Sequence, residues 1–123
     1  MSDGAGRLLN HLRFVATACR TKRRTDLFEA CALLKVSRAA TLEAHAEALM
    51  RCLAEALGTP ARLYAPNAPD LSFDEAWLVQ LARAIAHGDE SSTAFLLHSR
   101  VARQHHRWVR YLMGRIASFF PLI

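Results

Sequence analysis

A chain of 123 residues supplies one compact domain and is too short for two ordinary ones. Just over half of it is apolar, which is enough for a real core, and the abundance of Ala, Leu and Arg favours helix over sheet and excludes a disordered chain. The net charge is +5, no apolar run approaches the roughly 18–20 residues needed to span a bilayer, and the opening MSDGAGRLLNHLRF lacks a basic head followed by an unbroken apolar stretch, so a cytoplasmic protein without a signal peptide is expected.

A first helix is predicted over residues 6–20. Leu8, Leu9, Leu12, Val15, Ala16 and Cys19 follow the 3.6-residue period, whereas Arg7, Asn10, Arg13 and Arg20 lie mainly off that face. The cluster Arg20, Lys22, Arg23 and Arg24 then makes a basic connector, well placed for a helix C-terminus. Thr25 and Asp26 open a second helix whose apolar face is Leu27, Phe28, Cys31 and Leu34. The pattern loosens around Val36 and Ser37, with Ser37 a candidate N-cap for a third helix over 38–57. That helix would line the core with Leu42, Ala46, Leu49, Met50, Leu53 and Leu57 and stop at Gly58. A single rod over 26–57 is the alternative, because no Gly or Pro interrupts it.

Residues 59–71 hold three of the four prolines and read as a connection wrapped on the surface, anchored by Leu63 and Tyr64. Ser72 and Glu75 form a capping box for a fourth helix that runs to about His87 and ends at Gly88. Apolar side chains cover nearly all of its circumference, leaving Gln80, Arg83 and His87 as a narrow polar stripe, so it should be central. The acids of GDESST then introduce a fifth helix, expected to run unbroken over 92–118. Its buried side should comprise Phe95, Leu97, Val101, Trp108, Val109, Leu112, Met113, Ile116 and Phe120. The fold expected is all-α: a single compact bundle of four to five helices with a long C-terminal helix, one domain over 1–123. Its core should include Leu49, Leu53, Trp77, Leu81, Ile85, Leu97, Val101, Trp108 and Leu112.

Charge is unevenly distributed. Residues 1–38 carry eight Lys/Arg against three Asp/Glu, residues 39–96 three against eight, and residues 97–123 five against none. In the last segment Arg100, Arg103, Arg107 and Arg110 fall within roughly 80° on one side of a continuous helix, with Arg115 at its border. A helix surface usually mixes signs, because like charges one turn apart repel by a few tenths of a kcal/mol per pair. Three things can offset that repulsion: internal or intersubunit carboxylates, solvent, or an external anion such as nucleic acid, an acidic protein or a membrane surface. Glu43, Glu47, Glu55, Asp74 and Glu75 are the candidate internal partners.

The stretch EACALLKVSRAATL (Glu29–Leu42) resembles the first half of a bacterial helix-turn-helix unit, on the matching residues Glu29, Ala30, Cys31, Leu33, Leu34, Val36, Ser37 and Arg38. That resemblance implies a DNA-binding transcriptional regulator. Lys35 stands where such units usually have glycine, and Glu43 and Glu47 fall where base-contacting side chains would be polar or basic.

Signals for catalysis are absent. The histidines (His11, His45, His87, His98, His105 and His106) form no His-Glu-x-x-His, and the cysteines Cys19, Cys31 and Cys52 form no Cys-x-x-Cys. Each cysteine reads as a small buried hydrophobe. No glycine-rich phosphate loop, nucleophile elbow or catalytic carboxylate pair is evident. The expectation is a non-enzymatic interaction or regulatory protein without metal or cofactor, binding an acidic partner through Arg100, Arg103, Arg107 and Arg110, with Arg20, Lys22, Arg23 and Arg24 as a second basic cluster that could join them. Either the broad apolar side of the last helix or the FFPLI tail exceeds what one small domain is expected to bury, which favours a homodimer.

Overall fold

The computed structural model describes residues 3–19 and 42–122. The second predicted helix, the Ser37 cap, Cys31, the helix-turn-helix-like stretch up to Thr41, and the cluster Arg20, Lys22, Arg23 and Arg24 lie outside the described residues.

Among the described residues there are five α-helices, a short 3-10 turn and no strand. Helix α1 spans Asp3–Cys19 and buries Leu8, Leu9 and Leu12 as the period requires. Helix α2 spans Leu42–Leu57, and Gly58 just beyond it adopts φ +75°, the left-handed conformation that a glycine reaches without a Cβ clash. Helix α3 spans Phe73–Ala86. Its capping box is complete: Ser72 Oγ accepts from the Glu75 amide at 3.0 Å, and Glu75 Oε1 accepts from the Ser72 amide at 2.9 Å. Helix α4 spans Glu90–Arg100 and starts with Asp89, whose carboxylate accepts from the Ser92 amide. Helix α5 spans His106–Ala117, preceded by the 3-10 turn Arg103–His105.

The expected unbroken helix over 92–118 is therefore corrected to two helices. A rod of that length would run about 40 Å, longer than a small domain can flank. Val101 and Ala102 turn to extended backbone (ψ 132° and 141°), with no glycine or proline to announce it. Side chains stabilise the break instead. His106 Nε2 donates to the Val101 carbonyl at 2.7 Å, and the Ala102 amide reaches the Ala56 carbonyl near the end of α2. The apolar stripe is thin here, because Gln104 and His105 occupy positions that a continuous helix would give to core residues.

Helices α1, α2, α5 and α3 pack in a ring, each against the next, and α4 lies on α3 and α5. Helix α3 thus touches α1, α4 and α5, as its nearly all-round apolar surface demands. The core takes Leu49 and Leu53 from α2, Trp77 and Leu81 from α3, Leu97 and Val101 from α4 and its C-cap, and Trp108, Val109, Leu112 and Ile116 from α5. Ile85 is only half-buried at the edge of this core. Phe95, expected inside, is 71 % exposed; breaking the rod rotates α4, so that Thr93 and Leu97 are its buried residues instead. Cys52 is buried and Cys19 half-buried.

The largest departure concerns Arg13. The periodicity put it outside, yet its side chain is only 4 % exposed and meets the fully buried Glu75. Arg13 Nε donates to Glu75 Oε2 at 2.6 Å and Nη2 to Oε1 at 2.9 Å, a two-pronged pairing. Other guanidinium hydrogens go to the carbonyls of Ala68 and Asp70, and Glu75 also accepts from the Tyr64 amide. The 59–71 connection is thereby laced to both α1 and α3. Asn10 adds a reciprocal pair with Asn67, which sits at φ 66°. Burial pushes the Glu75 carboxyl up, but the hydrogen bonds from Arg13 and from the Ser72 and Tyr64 amides outweigh it and hold it below the ordinary range.

Ser72 also donates from its hydroxyl to the Arg62 carbonyl, so it caps α3 and pins the connection at once. Ser72→Ala should lower stability by about 1 kcal/mol, the usual cost of losing such a cap. A shift of the urea midpoint at constant m-value would register it; an unchanged midpoint would mean that the cap contributes nothing measurable.

The C-terminal residues fold back across the bundle. Leu122 is buried, its carbonyl accepts from His87 Nε2 at 3.0 Å, and Phe120 lies against the His11 ring. Gly4 permits this approach: a Cβ there would lie 1.7 Å from the Pro121 carbonyl oxygen. The apolar side of α5 is therefore covered within the chain itself, together with Leu122 and part of Phe120. In the tail, Phe119 and Pro121 stay exposed. No helix among the described residues is long and apolar enough to cross a membrane.

Candidate interaction surface

The break at Val101 divides the predicted arginine row. Arg100, the last residue of α4, turns inward, and its Nη2 donates to Asp74 Oδ1 at 2.6 Å. Its guanidinium carbon stands 5.1 Å from the centroid of the Phe73 ring and 5.6 Å from that of Trp77, a cation–π arrangement on two rings. Trp77 is held in place by its own indole N–H, which donates to the Leu96 carbonyl. Burial pushes the Asp74 carboxyl up, yet hydrogen bonds from the Arg62 amide and from Arg100 bring it below the ordinary range. Arg100 is thus part of the packing between α3 and α4 and not a free anion receptor.

Arg110 is also paired, with Nη2 2.6 Å from both oxygens of Glu90. The two residues lie on the surface, tying α5 to the first turn of α4. An exposed pair of this kind contributes modestly and is weakened by salt.

Arg103 and Arg107 differ from both. They are exposed, on the 3-10 turn and the first turn of α5, and neither has a carboxylate partner among the described residues. Arg115, two turns further along α5, has the same status. Tyr111, between Arg107 and Arg115, is 55 % exposed, and its ring contacts His45, which is buried on α2. Sequence reasoning singled out neither Tyr111 nor His45 as part of a surface. The signal that exposes Tyr111 is its place four residues after Arg107, on the outer side of the α5 wheel.

Three histidines shape the corner between α4 and α5. His98 and His106 meet edge to face, with centroids 5.6 Å apart. His105 is buried, and its Nδ1 accepts from the Trp108 indole N–H at 3.0 Å, which requires that nitrogen to carry no proton. A shared face for His98 and His105, seven residues apart on a continuous helix, gives way to the His98–His106 contact, because the chain turns between them. Among the described residues, no three His, Cys, Asp or Glu side chains gather as a metal-binding group.

A shallow groove between α3 and α4 contains Gln80, His87 and Phe95. Here the polar stripe of α3 meets the exposed ring of α4. Its Asp89 is already occupied in capping α4, and His87 in holding Leu122.

The chemistry available at the corner is anion recognition by guanidinium groups. The segment from Leu97 onward has no acid of its own; Asp74 and Glu90 reach it from α3 and α4, at Arg100 and Arg110. No protein-family model, curated protein or solved structure matches this chain.

Proposed function

We propose that this protein is a non-enzymatic interaction module that docks an acidic macromolecule on the corner formed by the 3-10 turn and α5. The single observation carrying this reading is that Arg103 and Arg107 stand exposed, without a carboxylate partner among the described residues, on a segment that contains no acid. Arg100 and Arg110 shape and brace this surface through Asp74 and Glu90, and Arg103 and Arg107 make the contact. Arg20, Lys22, Arg23 and Arg24 extend the basic character of the chain and belong to the proposal only through the sequence.

The test is fluorescence anisotropy with labelled polyanions (an oligonucleotide and polyglutamate) at several salt concentrations. Binding should weaken steeply as salt rises, because each neutralised phosphate releases counterions. The double variant R103A/R107A should bind markedly more weakly at low salt. Its salt dependence on the oligonucleotide should be shallower, by about one unit of log–log slope for each phosphate no longer neutralised. Absence of binding to every polyanion at low salt, or an unchanged slope in the double variant, overturns the reading.

A further inference from the structure

The exposed side of α5 carries more than charge. Arg103, Arg107, Tyr111, Arg115 and Phe119 follow one another at four-residue steps, and all five are exposed. The rings are 55 % and 48 % exposed for Tyr111 and Phe119, whereas Trp108, Leu112 and Ile116 of the same helix are buried. Each four-residue step turns about 40°, so Arg107, Tyr111 and Arg115, which lie within α5, spread over about 80° of its circumference, with Arg103 on the preceding 3-10 turn and Phe119 just past the C-cap at the two ends. Arg107 and Arg115 are about 12 Å apart along the axis, with the Tyr111 ring between them.

A stripe of guanidinium, guanidinium, ring, guanidinium, ring asks for a partner that offers anions and flat apolar faces in alternation. An acidic polypeptide answers the guanidinium groups but has no regular supply of flat faces for Tyr111 and Phe119. Duplex nucleic acid supplies phosphates but keeps its base faces stacked inside. An unpaired strand presents a phosphate and an open base on every nucleotide, and base–aromatic stacking tolerates any sequence. Guanidinium planes can stack on bases as well as pair with phosphates. The rest of the surface is consistent with such a strand lying along α5. Glu90, which reaches α5 from the start of α4, is engaged by Arg110.

We infer that the acidic partner is single-stranded nucleic acid, bound along α5 with Arg103, Arg107 and Arg115 on phosphates and Tyr111 and Phe119 stacked on bases. This inference rests on the anion-docking reading above and assigns its partner.

The experiment compares labelled oligothymidylate with a duplex of equal length, polyglutamate and anionic phospholipid vesicles at one low salt concentration. Oligothymidylate should bind at least about fivefold more tightly than the other three, the lower end of what one stacked base contributes. Y111L should lose about fivefold or more in oligothymidylate affinity while leaving polyglutamate binding unchanged, and Y111F should restore it. Because Tyr111 also touches His45, the thermal melting of each variant is recorded, and F119A removes a second, largely exposed ring. Equal or tighter binding to duplex, polyglutamate or vesicles overturns the inference and leaves the anion-docking reading standing. So does parent-like binding of oligothymidylate by both Y111L and F119A. Failure to bind any polyanion overturns both.

Discussion

Glu75→Gln should destabilise the protein by about 3–5 kcal/mol, the range seen when one partner of a buried ion pair is removed. Glutamine keeps the shape of the side chain but abandons the Arg13 guanidinium, which is 4 % exposed and already holds two backbone carbonyls. A buried, unneutralised cation is the costly species, and the loss is a large share of the roughly 5–15 kcal/mol that stabilises an ordinary domain. Urea denaturation of the parent and of E75Q measures it directly, and a loss under about 1 kcal/mol would place Arg13 in water rather than in the core. Replacing both residues by apolar side chains of similar volume (R13M/E75L) should recover much of the loss, because neither charge then needs a partner. Acid should act in the same direction. The folded-state carboxyls of Glu75 and Asp74 sit below their ordinary values of 4.5 and 3.8. The unfolded chain therefore takes up protons first as pH falls. The stability these groups contribute is complete above about pH 5 and drains away as pH drops below those ordinary values toward the depressed ones. In E75Q the part of that acid dependence due to Glu75 should vanish.

Gly4→Ala should also destabilise, by about 1–3 kcal/mol, although helix propensity alone argues for a gain of up to about 1 kcal/mol inside α1. The two effects have opposite signs, so the measurement decides between them. The added methyl would lie 1.7 Å from the Pro121 oxygen and 2.5 Å from its carbonyl carbon. Both are backbone atoms that cannot rotate aside, so the tail has to lift. Lifting it exposes Leu122 and breaks the bond from His87. Thermal melting of G4A should show a lowered midpoint, and digestion with carboxypeptidase should proceed faster than in the parent. A raised midpoint with unchanged digestion would show that the tail does not rest on α1 in solution.

What was legible in the sequence was local. The capping box at Ser72 and Glu75 depends on two side chains three residues apart, and the glycine stops at Gly58 and Gly88 depend on one residue each; both types are present as expected. The apolar period likewise picked out Leu49, Leu53, Leu81 and Leu112. What could not be read depended on partners distant in sequence. Arg13 looks like a surface residue until Glu75 is brought to it from 62 positions away. The turn at Val101 carries none of the usual breakers, because a histidine five residues later satisfies the carbonyl that the helix abandons. For the predicted arginine row, Asp74 is a foreseeable partner and Glu90 is not, and only the turn shows why the four guanidinium groups have different fates. The anion-binding proposal accordingly narrows to Arg103 and Arg107, with Arg115 and the exposed rings of Tyr111 and Phe119 added.

The Arg13–Glu75 pair also restricts how the helices can slide. Moving α1 by one turn against α3 would bring Leu9 or Thr17 opposite Glu75, and neither can neutralise a carboxylate. Leu8, Leu9 and Leu12 would tolerate such a slip, since oily contacts are indifferent to which neighbour they meet. The charge would not, because a stranded carboxylate in the interior costs several kcal/mol. A small bundle built largely from leucine and alanine is in this way indexed to a single alignment by one tooth and one notch.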